Sequence, residues 1–401
     1  MTVSTAVSSP EAELLLLCAR RTRTAQESAD LERLLGLELN WRFLLSMANR
    51  HRVLALLYAS LKSEGRLELV PGDARQALHS AARESIGQSL ALTVELVRIL
   101  REFERQGIPA IPCKGPVVAM VAYGDLSYRS FCDLDILVPE SHFHIADRAL
   151  VALGYRAGIR LSAKEEESYL NNECALPFRN DARGHIVELH WRLCERNASV
   201  HLPVGALWQR VTPVGLPGMN VSSLAPEDLV LYLCVHGAKH RWERLEWVVC
   251  VAEIIRRHPE LDWQAIFERA DRYRIARLLR VGLHLASSIL GVELPAAVME
   301  RVAADPSART LAESVKGDWF VPAQVETHYQ ERATRYLFMM RSREKWADRA
   351  RILFYSAVRP PHPSAHEWID LPPRLAFLHR IFRPVRLLGE YSAVAWKHYL
   401  R

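Results

Sequence analysis

The spacing of hydrophobic positions divides the chain into two helical regions with a section of shorter apolar runs between them. From residue 10 to about residue 107, apolar positions recur every three to four residues, as on one face of an α-helix. Near the end of this region the apolar stripe consists of Ile86, Leu90, Val94, Val97 and Phe103. Gly107 follows it as a C-cap. We therefore predict a helical N-terminal region.

Between residue 108 and about residue 193, short apolar runs alternate with helical ones. Such runs, rich in Ile, Leu and Val, are typical of buried strands. Strands are predicted at 108–113, 132–138 and 185–193, and helices at 115–123 and 140–154. This alternation predicts a small α/β core with a mostly buried sheet.

A connector that contains Pro and Gly, residues 212–228, leads into a second region of helical periodicity. Ser222 or Ser223 would cap its first helix, and Pro226 fits an early helical position. The predicted fold class is α+β, mostly helical, with a small mixed-sheet core embedded between helical regions. The expected domains are an N-terminal helical region at 1–84, the α/β core at 85–211 and a C-terminal helical domain at 212–401.

Composition and charge narrow the class of protein only a little. The seven cysteines are odd in number and form no C-x-x-C pair, so we expect reduced thiols and a cytoplasmic protein. The apolar run near the N-terminus is too short for a membrane span, so no membrane partner is expected. A formal charge of +6 suits an anionic ligand such as a nucleotide or RNA, although many ordinary enzymes are as basic.

Two aspartates interrupt the apolar run of the second predicted strand. Because side chains alternate along a strand, Asp133 and Asp135 point to one face, whereas Leu134 and Ile136 point to the other, into the core. A solvated face would give the same alternation. Two carboxylates on one rigid strand can also converge on Mg²⁺, which commonly binds through one or two carboxylates and substrate phosphates.

The third predicted strand repeats this pattern. Glu188 and His190 share one face, and Val187, Leu189 and Trp191 share the other. Glu188 would therefore supply a third carboxylate beside the two aspartates. His190 could orient a carboxylate or contact a nucleotide, or it could be a hydrogen-bonded histidine at the rim of the sheet.

The turn between the first predicted strand and its helix has features of a phosphate site. Gly115 opens the helix, where a glycine lets backbone amides approach an anion and the helix dipole favours negative charge. Lys114 would add a positive charge, and Pro116 fits an early helical position. The order of glycine turn, aspartate pair and third carboxylate predicts a phosphate cradle that faces a metal site.

This order of features resembles the nucleotidyltransferase superfamily with the polymerase-β-like fold. More closely, the chain resembles the bacterial family of uncharacterised nucleotidyltransferases, often found beside natural-product and polysaccharide biosynthesis genes. The segments that carry this resemblance are KGPVVAMVAYGDLSYRSFCDLDILV, VELHWRL, HGAKHRWERLEWVV and HEWIDLP. The chain departs from the pattern in having Lys-Gly-Pro at the turn, and Cys250 where relatives often have an acidic residue.

The resemblance implies roles for individual residues. Asp133 and Asp135 would be Mg²⁺ ligands, with two ions expected, and Glu188 would be the third metal ligand or a base. Gly115, with Lys114, would lie at the triphosphate. Arg129, which precedes the aspartates, would contact phosphate or pyrophosphate.

Two basic clusters are open to more than one interpretation. The first consists of His236, Lys239, His240 and Arg241. The resemblance favours a nucleotide phosphate contact by Lys239 over a solvated face with Trp242 and Trp247 in the core. The second consists of Arg374, Arg380, Arg383 and Arg386, interleaved with apolar residues. It could bind RNA, but such a pattern is more often an amphipathic helix packed on a neighbour.

The leading functional hypothesis is a Mg²⁺-dependent enzyme that moves a nucleoside monophosphate from ATP or another NTP to an acceptor. The acceptor would be a small metabolite, a sugar or a peptide, in a biosynthetic pathway. One alternative is the addition of nucleotides to an RNA 3′ end, for which strong salt-dependent binding of tRNA would be the sign. Another is a non-catalytic nucleotide-binding scaffold, although a scaffold has no need of three converging carboxylates.

Overall fold

A computed structural model describes residues 9–159, 161–198, 200, 202–320 and 328–358 of the chain. Its fold is α+β and mostly helical, with a small mixed sheet, which confirms the predicted class. The segment HEWIDLP and the basic cluster of Arg374, Arg380, Arg383 and Arg386 lie outside the described residues.

Five helices precede the sheet, in agreement with the helical prediction. They are α1 (Pro10–Cys18), α2 (Ala25–Leu35), α3 (Trp41–Arg50), α4 (Leu54–Ser63) and α5 (Gly72–Arg105). The first two helices start with side-chain caps: Ser9 accepts a hydrogen bond from the Ala12 amide, and Thr24 forms a capping box with Glu27. The expected domain boundary at residue 84 falls inside α5.

The buried face of α5 differs from the predicted stripe. Val97 and Phe103 are buried, but Leu90 is 47% exposed and Val94 is 68% exposed. Polar groups on the inner face explain the difference. They are buried because they form hydrogen bonds there, and a pattern of apolar positions does not reveal such residues. Ser89 donates to the Arg129 carbonyl, Thr93 donates to the Ser89 carbonyl, and Tyr155 donates to the buried Glu95 carboxylate.

The sheet and its helices form the middle of the chain. The strands are β1 (Ile111–Pro112), β2 (Leu134–Leu137), β3 (Arg156–Ala157), β4 (Ala175–Asn180) and β5 (His185–His190). The helices are α6 (Pro116–Tyr123), α7 (Phe143–Ala152), α8 (Ala163–Asn172) and α9 (Val204–Trp208). The strand order is β1-β2-β5-β4-β3, with β2 and β5 parallel and the other pairs antiparallel. The three predicted strands and two predicted helices are confirmed, with the strands shorter than predicted.

The predicted connector at 212–228 contains a small hairpin instead of a simple loop. Its strands are β6 (Thr212–Leu216) and β7 (Met219–Ser223), and Gly218, with φ 82°, lies in the turn. Ser222 and Ser223 are therefore both in β7, and neither caps the next helix. The next helix has Ala225 at its N-cap and no side-chain cap, while Pro226 takes the predicted early position.

Eight described helices complete the fold. They are α10 (Pro226–Lys239), α11 (Leu245–Arg257), α12 (Trp263–Arg272), α13 (Ala276–Leu290), α14 (Ala296–Ala303), α15 (Pro306–Trp319), α16 (His328–Arg341) and α17 (Trp346–Val358). One apolar core joins α10 to α16 with α1 to α4 and α6, and a second core lies between α5, α7 and the sheet. None of the helices in the described ranges is long and apolar enough to cross a membrane.

The turn between α3 and α4 links the N-terminal helices to the C-terminal ones. His51 is fully buried there, and its Nδ1 accepts a hydrogen bond of 3.2 Å from the Leu245 amide. Its Nε2 lies 3.0 Å from the Trp319 carbonyl, to which it donates when Nδ1 is the acceptor. The Glu246 amide also donates to the His51 carbonyl. One histidine thus fixes the starting point of α11 against the N-terminal region.

Candidate active site

The carboxylates converge because β2 and β5 are neighbouring parallel strands. Asp135 and Glu188 are direct partners in their register. On the opposite face, Leu134, Val187 and Leu189 are almost completely buried in the core under the sheet. The alternation read from the sequence is therefore present, and it brings the acidic side chains together above the sheet.

Asp135 is the centre of a charged network. Its Oδ1 atom lies 2.6 Å from Lys114 Nζ and 3.0 Å from His190 Nε2. His190 Nε2 also lies 3.4 Å from a Glu188 oxygen. Burial alone would raise the pKa of Asp135, but the charges of Lys114 and His190 hold it well below its usual range.

The pKa values of both basic groups in this network are raised. Burial lowers the pKa of His190, but hydrogen bonds to Asp135 and Glu188 raise it well above its usual value. Burial likewise lowers the pKa of Lys114, and the charges of Asp135 and Glu188 raise it above the ordinary range. His190 Nε2 thus hydrogen-bonds to Asp135 and lies close to Glu188, while its role in orienting these carboxylates stays a prediction.

Asp133 lies beside this network and lacks a partner. It forms no hydrogen bond or ion pair with other described residues. Burial raises its pKa, and the negative charge of Asp135 raises it further. The Asp133 carboxylate lines the cleft and remains available to a cation.

These residues fit a hard divalent cation. Ligating atoms of Asp135, Glu188 and His190 lie within 4.8 Å of one another. Both ion-pair contacts of Asp135 use Oδ1, so Oδ2 has no ion-pair partner in the described part of the chain. The oxygens of Asp133, Asp135 and Glu188 are donors of the kind that suits Mg²⁺, whereas His190 Nε2 is already hydrogen-bonded to Asp135.

The Gly115 turn has a backbone conformation that only glycine adopts without strain. Its φ is 62° and its ψ is −126°, and the next residue, Pro116, begins α6. Arg129 donates a 3.3 Å hydrogen bond to the Gly115 carbonyl, and its guanidinium lies 3.0 Å from Glu246. The buried Arg129 side chain supports the turn through this hydrogen bond. Its predicted contact with phosphate stays a prediction.

A cleft of about 660 Å³ contains all of these groups. That volume is ordinary for a site that binds a small molecule. Lys239 also lines it and forms an ion pair with Glu195, so its predicted phosphate contact stays a prediction. His240 lies against Trp247, with ring centroids 5.2 Å apart, and burial lowers the pKa of His240 to about 3. Trp242 and Trp247 are buried, as the alternative of a solvated face with both tryptophans in the core required.

The sequence analysis missed several residues of the cleft. Arg52 comes from the turn between α3 and α4, and Arg244 and Glu246 come from the start of α11. No spacing pattern connects these residues to the carboxylates. The signal that could have found two of them is their place in HGAKHRWERLEWVV, one of the segments that carry the family resemblance.

Comparison with known proteins places the chain in a family. A family model described as "Uncharacterised nucleotidyltransferase" matches residues 38–291, which is more than half of the chain. The chain belongs to this family of uncharacterised nucleotidyltransferases. The matched range contains every predicted site residue and Arg52, and the family description implies a nucleotide substrate. No curated protein and no solved structure matches the chain.

Proposed function

We propose that the protein is a Mg²⁺-dependent nucleotidyltransferase that moves a nucleoside monophosphate from an NTP to an acceptor. The acceptor would be a small metabolite, a sugar or a peptide. The observation that carries the proposal is the parallel register of β2 and β5, which sets Asp135 beside Glu188 and next to Asp133. Lys114 and His190 offset part of this negative charge, but Asp133 has no cationic partner among the described residues, so a bound metal ion would complete the neutralisation.

The carboxylates would hold the metal, and the protein supplies their orientation. Asp133, Asp135 and Glu188 would be the ligands, and His190 would fix Asp135 and Glu188 through its hydrogen bonds. Bound Mg²⁺ would neutralise charge on the phosphates and make the α-phosphate more open to attack. The orienting hydrogen bonds hold the ligands in place before the substrate arrives.

The turn before α6 would bind the triphosphate. Gly115 leaves room for the backbone to approach an anion, and the amides at the start of α6 point outward from a positive helix end. Lys114 stays protonated and lies within the same cleft. This arrangement would hold the phosphates against the carboxylate-bound metal.

As the alternative to binding the metal, Glu188 would act as the base for the acceptor. Its side chain is 39% exposed, whereas that of Asp135 is 1% exposed. We assign it to accept the proton of the acceptor hydroxyl as the hydroxyl oxygen bonds to the α-phosphorus. The bond from the α-phosphorus to the bridging oxygen then breaks, and pyrophosphate leaves.

The function is tested with α-labelled NTPs and Mg²⁺ in three acceptor pools: sugars and small metabolites, peptides, and tRNA. We expect labelled small molecules or peptides together with pyrophosphate. Asp135→Asn should remove both products. Asp181→Asn is the matched control, because Asp181 is exposed and pairs with Arg156 away from the cleft.

Each other result of this assay has a definite meaning. Label in tRNA alone would replace the proposed acceptor with RNA. Binding of NTP without any labelled product in the three pools would favour the scaffold alternative. Equal turnover by Asp135→Asn and the wild type would contradict the proposed metal site.

A further inference from the structure

Most cations in the cleft already have a carboxylate partner. Lys114 pairs with Asp135, Arg129 with Glu246, Lys239 with Glu195 and Arg335 with Glu243. Arg52 and Arg244 also line the cleft, but neither has a carboxylate within ion-pair distance in the described part of the chain. Arg179 lacks one too, but it is exposed, as is ordinary for a surface arginine.

The two unpaired arginines are neighbours although they lie far apart in the sequence. Their adjacent residues are joined by hydrogen bonds, since the Leu245 amide donates to the His51 ring and the Glu246 amide donates to the His51 carbonyl. Both side chains are half-buried. Burial lowers the pKa of Arg244, and the positive charge of Arg52 lowers it further. Two like charges are thus held close together, with the charge of Glu246 acting on both but no carboxylate of the described residues within ion-pair distance of either.

Arg52 reaches the cleft from the end of α3. It follows the C-cap residue His51 with a left-handed φ of 54°, and the Val53 amide donates to the Ala48 carbonyl, as is common where a helix ends. The guanidinium donates one hydrogen bond, to the Cys132 thiol at 3.4 Å, and a thiol is a weak acceptor. Cys132 directly precedes Asp133, so Arg52 lies beside the proposed metal ligands.

Arg244 lines the cleft from a different element of the fold. It is the residue before α11, and its guanidinium carbon lies 5.6 Å from the centre of the Trp247 ring. This cation–π contact holds the side chain and leaves its N–H groups free to donate. Glu246, the nearest acidic residue on α11, is engaged by Arg129.

We propose that Arg52 and Arg244 together bind the β- and γ-phosphates of the NTP, and the pyrophosphate that leaves. A polyphosphate is the ligand that fits, because two adjacent guanidinium groups match several anionic oxygens through paired hydrogen bonds. This inference rests on the proposed function and adds to it. It means that the helical N-terminal region contributes a substrate-binding residue to the α/β core.

The test is calorimetric titration of NTP, NMP and inorganic pyrophosphate, each with Mg²⁺, into the full chain. Arg52→Gln and Arg244→Gln should each weaken pyrophosphate and NTP binding by about 10-fold or more, and should change NMP binding by less than about 2-fold. Arg52→Lys should give an intermediate affinity, since it keeps the charge but loses the paired donors. A thermal scan of each variant verifies that it is folded.

Arg241→Gln is the matched control. Arg241 also has a positive φ, of 54°, but it pairs with Asp318 and does not line the cleft. It should bind all three ligands as the wild type does.

The possible failures are distinguishable. If both glutamine variants are folded and bind pyrophosphate as tightly as the wild type does, the inference is wrong, whatever the enzyme transfers. If pyrophosphate binding needs both arginines but no NTP binds, the arginine site stands and the proposed function fails. If the wild type binds neither NTP nor pyrophosphate, both are wrong.

Discussion

At the scale of single residues, Asp133 carries a charge that the protein itself does little to stabilise. Its pKa is raised above the ordinary value, by burial and by repulsion from Asp135, so ionisation at neutral pH costs stability. A cation bound between the two aspartates would remove that cost. The repulsion at Asp133 is therefore the cost that a metal ion in the proposed site would remove.

The change Asp133→Asn separates these effects. Without divalent cations we expect the variant to be more stable than the wild type by on the order of 0.5–1 kcal/mol, because a repulsion is removed. With Mg²⁺ and NTP, the wild type should gain stability and the variant should not. Urea denaturation in EDTA and in Mg²⁺ with NTP measures both. A variant that is less stable in EDTA would show that the Asp133 charge is favourable without metal.

The buried pair of Arg129 and Glu246 is a second residue-scale prediction. Glu246→Gln should lower the free energy of unfolding by about 3–5 kcal/mol, because it leaves the Arg129 charge buried without a partner. The double change Arg129→Met, Glu246→Leu should recover much of this loss. A double-mutant cycle by urea denaturation measures the coupling between the two residues, and simple additivity would argue against the pair.

At the scale of elements, the turn between β1 and α6 depends on one glycine. Gly115→Ala should cost about 1–3 kcal/mol of stability, because alanine is strained at φ 62° and ψ −126°. It should also weaken NTP binding, since the strain is relieved by moving the start of α6. Denaturation and NTP titration of the same variant test both effects.

The control for this change is Gly72→Ala at the start of α5. Gly72 has no positive φ, and an added Cβ would meet nothing within 4 Å. The stability of the Gly72→Ala variant should be equal to that of the wild type or greater by up to about 1 kcal/mol. If the two alanine variants are equally stable, the Gly115 conformation is not a requirement of the fold.

Some elements were predictable from sequence because one physical rule dominates them. The strands β2 and β5 alternate buried apolar and acidic residues, so period-two spacing found both the strands and the face that holds Asp135 and Glu188. The buried face of α5 was predicted wrongly because its inner side contains Ser89, Thr93 and Glu95. Their burial depends on hydrogen-bond partners from distant parts of the chain, which hydrophobic periodicity does not detect.

The residues of the site likewise divide into those that local sequence patterns reveal and those that only the tertiary structure reveals. The carboxylates and the Lys114–Gly115 turn could be found because strand alternation and helix-start chemistry are local. The partners of Arg129 and the position of Arg52 could not, because they depend on how α11 and the N-terminal helices pack on the core. Sequence patterns located the proposed reacting groups, and tertiary structure located several of the groups that contact them.

At the scale of the whole molecule, His51 makes stability depend on pH. Burial lowers its pKa to about 4 from an ordinary value of 6.5. Below pH 6.5 the unfolded chain takes up a proton that the folded protein does not, so stability falls as pH falls from 6.5 towards 4. Protonation of Nδ1 would also break its hydrogen bond with the Leu245 amide.

The size of this effect can be isolated with His51→Gln. Between about pH 7 and about pH 5, His51 should account for a loss of about 2 kcal/mol in the wild type that is absent from the variant. Urea denaturation at both pH values measures it. His79→Gln changes an exposed histidine and should keep the pH dependence of the wild type. An unchanged slope in His51→Gln would show that His51 does not stay neutral in the folded protein.

The most direct test of the central claim is calorimetric titration of ATP, GTP, CTP and UTP into the protein, with Mg²⁺ and with EDTA. The same titrations are made on an Asp133→Ala, Asp135→Ala variant that is shown to be folded. We predict that at least one NTP binds the wild type only with Mg²⁺ and does not bind the variant. Binding that is equal in EDTA, or equal in the variant, would contradict a metal-dependent nucleotide site built on these aspartates.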